Sequence, residues 1–222
     1  HGRSRSHGGA AGYAEGVGIS QGVLQQPLES RSRHRQRCAD EKAKQNAGKA
    51  NLQDNRLRRH EGLGEGARMA LLAEPAPGRP YWRRPPELLA FAFDEERCYY
   101  LNPADFNRPA ELWNLFSGAF KRCSGGLIGY EIKYFYSFFT HLGLEEPPFT
   151  FDCKLAAYLL DPGRGGYKLE DLLSDYLDLP AAAPAGRGRR REPLDLEQRG
   201  RILASQAASL FSLQEKLSAG LA

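Results

Sequence analysis

Large aromatic side chains are the raw material of a hydrophobic core, and in this chain they are confined to one stretch. Of 11 Phe, 2 Trp and 10 Tyr, only Tyr13 precedes Ala67. A segment without large apolar groups cannot offset the ~1–2 kcal/mol per residue that backbone ordering costs. The whole core is therefore placed after Ala67, in one α/β domain over residues 67–222, and residues 1–66 read as a disordered basic tail. A chain of 222 residues has room for one domain of ordinary size and such a tail. Charge divides at the same point: residues 1–66 hold 12 Lys+Arg against 7 Asp+Glu, and residues 67–222 hold 19 against 20. The net charge of +4 thus belongs to the tail.

The tail is rich in Gly, Arg, Ser, Gln and Asn, and its apolar residues keep no period of two or 3.6. Only Val23 to Leu28 brings apolar residues close together. Three readings stand side by side. The tail is a basic arm for nucleic acid centred on Arg31, Arg33, Arg35 and Arg37; it is a solvated segment without a role, lacking aromatics for base stacking; or it is translated in the wrong reading frame, given its abrupt change into a well-patterned domain. Cys38, Cys98, Cys123 and Cys153 are far apart and form no CxxC. That excludes the common zinc spacings and points to buried thiols in a reducing cytosol. No apolar run approaches the ~20 residues of a membrane span, and no apolar stretch follows the basic start as in a signal peptide.

From Ala67 onward the pattern is orderly. Met69 to Ala73 predicts a buried strand, ended by a turn at Glu74-Pro75-Ala76-Pro77-Gly78. Leu88 to Phe93 and Arg97 to Leu101 predict two more strands around Asp94-Glu95-Glu96. Pro109 opens a helix with Leu112, Trp113, Leu115, Phe116 and Phe120 at helical spacing. A strand over Leu127–Tyr130 and a helix through Tyr134, Phe138 and Leu142 follow, with Gly143 as its cap. Phe149–Phe151 is a fifth strand, and Asp152 caps a helix over Cys153–Leu160. Tyr167–Leu177 is a further helix, residues 180–192 a Pro/Ala/Gly/Arg linker, and Leu194–Leu221 a long last helix with Leu203, Leu210, Leu213 and Leu217 on one stripe. The order predicts a mixed sheet flanked by helices, as in ribonuclease-H-like folds.

The segment Phe151-Asp-Cys-Lys-Leu-Ala-Ala-Tyr-Leu-Leu-Asp-Pro162, followed by Tyr167-Lys-Leu-Glu-Asp-Leu-Leu-Ser-Asp-Tyr-Leu177, resembles the FDT-x-L-x-x-YLL-[ND]-P … L-x-x-L-x-x-x-YL stretch of the 3′–5′ exonuclease domain in bacterial family A DNA polymerase I. Upstream, Gly129-Tyr-Glu-Ile-Lys-Tyr-Phe-Tyr136 is similar to its G-x-N-L-K-Y-D segment. Downstream, Arg201-Ile-Leu-Ala-Ser-Gln-Ala-Ala-Ser-Leu210 is similar to its R-Y-A-x-x-D-A-x-x-x-L helix. The resemblance implies a site of two metal ions held by four carboxylates. Hard dications take oxygen ligands and activate the attacking water.

The sequence departs from that pattern at each metal-holding segment. On the first strand Glu74 takes the family's Glu position, and Leu72 stands where the Asp belongs. In the second segment Glu131 replaces the Asn and Phe135 the Asp; in the last helix Ile202 replaces the water-orienting Tyr and Gln206 the Asp. Glu131 sits one helical turn from Phe135 and is the nearest acid that could rebuild a site. Otherwise Glu74 and Glu131 read as solvated surface residues, Asp152 as a helix cap and His141 as a surface residue. The reading is a vestigial exonuclease-like domain, a fragment of a DNA polymerase I that serves DNA replication and repair as a scaffold. It needs no cofactor of its own, with Mg²⁺ expected only for the parent or an active relative. DNA is contacted through the parent, a polymerase domain follows Ala222, no membrane or small-molecule substrate is implied, and the location is the bacterial cytoplasm. Two rivals remain. One is an active exonuclease using Glu74 and Glu131. The other is a free-standing nucleic-acid-binding module using Arg31–Arg37 with Arg187, Arg189, Arg190 and Arg191 of the linker.

Overall fold

The computed structural model describes residues 48–49, 66–78, 80, 84–105, 109–179 and 194–222. Its centre is a six-stranded mixed sheet in the order β1-β4-β3-β2-β5-β6. An unbroken apolar run suits a strand whose two faces are both covered, and Met69–Ala73 lies within β2, Arg68–Pro75. The strand outruns the apolar stretch. Glu74 and Pro75, expected in a turn, stay in the ladder opposite Leu88 and Pro86, with a bulge between them. β3 (Pro86–Ala92) and β4 (Cys98–Leu101) complete the antiparallel meander. Its turn is closed by the Asp94 carboxylate, which accepts the Glu96 and Arg97 backbone N–H groups at 2.9 and 2.6 Å.

β5 (Gly126–Gly129) runs parallel to β2, and β6 (Phe149–Asp152) parallel to β5. β5 stops one residue before the expected Tyr130, which bends away and donates its hydroxyl hydrogen to the Tyr167 carbonyl. The helix expected from Tyr167 begins at Leu169, since Lys168 before it is extended, at φ −63° and ψ 142°. β1 (Gly48–Lys49) pairs in parallel with β4. Two residues of the segment read as a disordered tail therefore belong to the sheet. The open edge of β4 offers unpaired backbone groups, and pairing with them needs no large side chain, so composition carries no trace of it. Arg31–Arg37, Cys38 and the linker arginines Arg187, Arg189, Arg190 and Arg191 lie outside the described residues.

Among the described residues five α-helices cover the sheet: α1 (Pro109–Arg122), α2 (Ile132–His141), α3 (Cys153–Leu160), α4 (Leu169–Leu177) and α5 (Leu196–Leu221). Gly143 follows α2 at φ +68°, the left-handed position that favours glycine after a helix end. Strand alternation sends Met69, Leu71, Leu89 and Phe91 to one face, against Trp113, Phe116, Phe138 and Phe139 of α1 and α2. It sends Ala70, Leu72, Leu88, Ala90 and Ala92 to the other, against α3, α4 and α5. The first face is filled by interlocking rings, such as Trp113 and Phe138 at 5.1 Å in an edge-on pair.

The second face is built from small residues on both sides. Ala70, Ala90 and Ala92 of the sheet meet a helix carrying Ala204, Ala207 and Ala208, all buried. α5 starts with a capping box: the Asp195 carboxylate accepts the Gln198 N–H at 2.7 Å, and the Gln198 side chain accepts the Asp195 N–H at 3.2 Å. One turn later, a Cβ on Gly200 would stand 2.2 Å from the Tyr100 ring, so only glycine permits this approach. Leu210, Leu213 and Leu217 are buried along α5 as expected, whereas Leu203 is half-buried at the wall of a cavity.

Gly200→Val should lower stability by about 2–3 kcal/mol through overpacking against Tyr100, read as a lower urea midpoint. Gly118→Val in α1, where an added Cβ meets nothing within 4 Å, should leave the midpoint nearly unchanged.

Candidate functional site

Sites in α/β sheets form beyond the C-terminal ends of the parallel strands. β2 and β5 are parallel, and a cavity of about 330 Å³ opens beyond their ends, closed by the starts of α4 and α5. Leu72 and Glu74 come to it from β2, Ile202 and Gln206 from α5, Glu170 from α4, and Tyr130 from the bend after β5. Four of the six positions picked out by the family pattern are thus brought together: Leu72, Glu74, Ile202 and Gln206.

The other two go elsewhere. Phe135 is 2% exposed and belongs to the aromatic cluster on the opposite face, its ring 5.3 Å from that of Phe149. A phenyl ring gains more there than at a polar cavity. Glu131 does not line the cavity either. It precedes α2 in the left-handed conformation, φ 56° and ψ 48°, and its carboxylate pairs with the Lys154 ammonium. It is neither a plain solvated residue nor one that leans into the cavity.

Glu74 is also engaged. Its Oε1 accepts a hydrogen bond from Arg199 Nη2 of α5, and Glu87 Oε2 accepts from the same nitrogen at 2.6 Å. The bonds to Glu87 and Glu74 push the Arg199 guanidinium still further above its already high range. The expectation of a solvated Glu74 is corrected: the extended β2 carries its carboxylate past the turn to the start of α5. Gln206 donates from Nε2 to Glu170 Oε1 at 3.3 Å. Arg199 and Glu170 escaped the sequence reading. Arg199 had a signal, since 199, 202 and 206 fall on one face of a helix; Glu170 had none beyond its place in a first turn.

Asp152 is a cap, as its spacing predicts, and it serves two helices. Its Oδ1 accepts the Lys154 and Leu155 N–H groups at 2.9 and 3.3 Å, at the start of α3. Its Oδ2 accepts the Ile132 N–H at 3.1 Å, at the start of α2. His141 is exposed in the last turn of α2. Burial, with the charges of Glu131, Glu170 and Asp152 adding to it, holds the Tyr130 phenol above its ordinary range, so at neutral pH it is a hydrogen-bond donor. Burial also pushes the Cys123 thiol up to about 11 and raises that of Cys153, so neither is a thiolate at neutral pH. Among the described residues no group of three or more His, Cys, Asp or Glu is placed to hold a metal ion, and no helix is long and apolar enough to cross a membrane.

Loss of a cap costs ~1 kcal/mol per helix. Asp152→Ala, which removes both acceptors, should therefore lower unfolding free energy by about 2 kcal/mol. Asp152→Asn keeps one acceptor oxygen and should lose about half as much; urea denaturation of the three proteins measures both.

No protein-family model and no curated protein matches the chain. Solved structures do. The POL domain of Pol1 from M. smegmatis in complex with DNA primer-template and dNTP is similar at a TM-score of 0.57 and 18% identity, over 78% of this chain. The chain spans 27% of the length of that polymerase structure. Escherichia coli RNase D, an exoribonuclease involved in structured RNA processing, gives a TM-score of 0.56 at 16% identity, over 79% of this chain and 45% of its own. The Aedes aegypti Nibbler EXO domain gives 0.58 at 13%, over 80% and 89%. The mixed sheet between two helical layers is therefore a ribonuclease-H-like fold, shared with these structures.

Proposed function

We propose that this chain is a vestigial 3′–5′ exonuclease domain of a bacterial DNA polymerase I, retained as a scaffold in replication and repair and without proofreading activity. The observation that carries the proposal is the composition of the cavity. Three of the family positions gathered there, Leu72, Ile202 and Gln206, are neutral, and the fourth, Glu74, is held by Arg199. Two dications need several oxygen ligands to hold them and to balance their charge. Two carboxylates, Glu74 bound to a guanidinium and Glu170 bonded to Gln206, do not fit that requirement, and Phe135 is turned to the far side of the sheet.

The polymerase as parent is supported by the motif order from Gly129 to Leu210 and by the likeness to the M. smegmatis structure. In that reading Mg²⁺ and the DNA contact belong to the parent, whose polymerase domain follows Ala222. The domain itself, with a charge near −1, attracts phosphates weakly. Its place is the bacterial cytoplasm, on DNA.

Purified protein given Mg²⁺ or Mn²⁺ should release no nucleotide from a 3′-labelled single strand above a protein-free blank. Metal-dependent release that disappears in Glu74→Ala would overturn the proposal in favour of an active exonuclease. The genomic DNA beyond Ala222 should encode a polymerase domain. A stop codon there with no polymerase nearby would favour a free-standing binding module.

A further inference from the structure

The strongest unexplained feature is the meeting of three charges at the bulged end of β2. Glu74 from β2 and Glu87 from β3 approach from adjacent strands and bond the same atom, Arg199 Nη2. The Arg199 side chain is only 28% exposed, and α5 is held at this height by the Gly200 contact with Tyr100 one residue on. Two carboxylates converging on one point from fixed strands is the arrangement by which proteins gather a divalent cation. Here the point is filled by a cation of the chain's own. A guanidinium cannot be deprotonated in a protein, and the two acids raise its affinity for its proton further.

We infer that Arg199 is a resident counter-ion that keeps the cavity closed to divalent metal: its guanidinium takes the position where Glu74 and Glu87 would otherwise collect a cation. The inference rests on the reading of the cavity as a vestigial nuclease site, and it adds the reason that the surviving carboxylate does not recruit metal. On β2 a neutral Leu72 removes one of that strand's two ligands, and Arg199 occupies the other, Glu74. The arrangement also ties the start of α5 to two strands, so the charge that excludes metal at the same time positions the helix carrying Ile202 and Gln206.

Mn²⁺ alone is the probe, read by loss of the free-ion resonance signal and by thermal melting of the full chain. The wild type should take up no Mn²⁺ in a Glu74-dependent way, and its Tm should not move. Arg199→Met keeps the side-chain length and removes the charge. It should melt lower, bind Mn²⁺, and regain about 2–4 °C when Mn²⁺ is added. That gain should vanish in Arg199→Met combined with Glu74→Gln. Wild-type uptake lost in Glu74→Gln, or an Arg199→Met protein that binds no more Mn²⁺ than wild type, would overturn the inference. Should Arg199→Met fail to fold, Arg199→Gln, which removes the charge but keeps a polar side chain, tests metal uptake with the same Mn²⁺ readout, and the acids test the counter-ion contact. Glu74→Gln and Glu87→Gln each leave Arg199 one partner and should lower Tm slightly. The double variant strands the cation and should lose more than the two single losses together; additive losses would count against the inference. Failure here is separable from failure of the functional reading: nucleotide release by the wild type defeats that reading, whereas Mn²⁺ uptake without release defeats only the role given to Arg199.

Discussion

Helix α5 lies close enough to the sheet that no side chain fits between Gly200 and the Tyr100 ring, and the rest of the molecule is arranged around that distance. The sheet face beneath it is lined by alanines, and so is the helix. Large side chains would hold two layers about 10 Å apart; small ones trade side-chain volume for a short, well-fixed separation. Because α5 crosses β3, β2, β4 and β5, its height sets where every residue on its sheet-facing side ends up. The other face is filled by rings, which tolerate wider spacing. The two helical layers thus differ in kind: one is set by backbone approach, the other by aromatic volume.

The polar framework follows the same economy. Among the described residues no charged side chain is fully buried, and the half-buried acids near the cavity are hydrogen-bonded: Glu74 and Glu87 to Arg199, Glu131 to Lys154, Glu170 to Gln206. Exposed pairs of this type contribute little to stability. Their effect is geometric, since each ties elements distant in sequence, as Glu74 and Arg199 tie β2 to α5. Asp152 does the same without a cationic partner, holding the N-termini of α2 and α3 through its two oxygens.

Much of this was legible in the chain. The confinement of aromatics to residues after Ala67 located the core, the apolar runs located β2, β3 and β4, and the spacing of Asp152 marked a cap. What escaped depended on long-range pairing. Gly48–Lys49 join the sheet through backbone groups alone, and such pairing leaves no pattern in side chains. Glu74 read as a turn residue because Pro75 follows it, yet Pro75 is tolerated at the bulged strand end, where no ladder hydrogen bond is required of it. Phe135 was placed correctly in its helix, but the direction of its ring depended on the aromatic cluster across the sheet. Arg199 could be seen on the same helical face as Ile202 and Gln206; its two acidic partners, more than a hundred residues away, could not.

Burial also decides which side chains the cavity favours at Leu72 and Gln206. Leu72 is 3% exposed, and a carboxylate there without a dication would be a desolvated charge facing Glu74. Such a group is strongly disfavoured unless paired. Leucine at that position instead contributes buried apolar area joined to Ile128 and Leu210 in one core. Gln206 likewise keeps a hydrogen bond to Glu170 where an aspartate would repel it. The supports of the fold, Gly200 against Tyr100 and the double cap of Asp152, use none of these positions. The sheet and helix layers are therefore held together by contacts that do not depend on a carboxylate at Leu72 or Gln206, while a guanidinium, Arg199, supplies the positive charge beside Glu74 and Glu87.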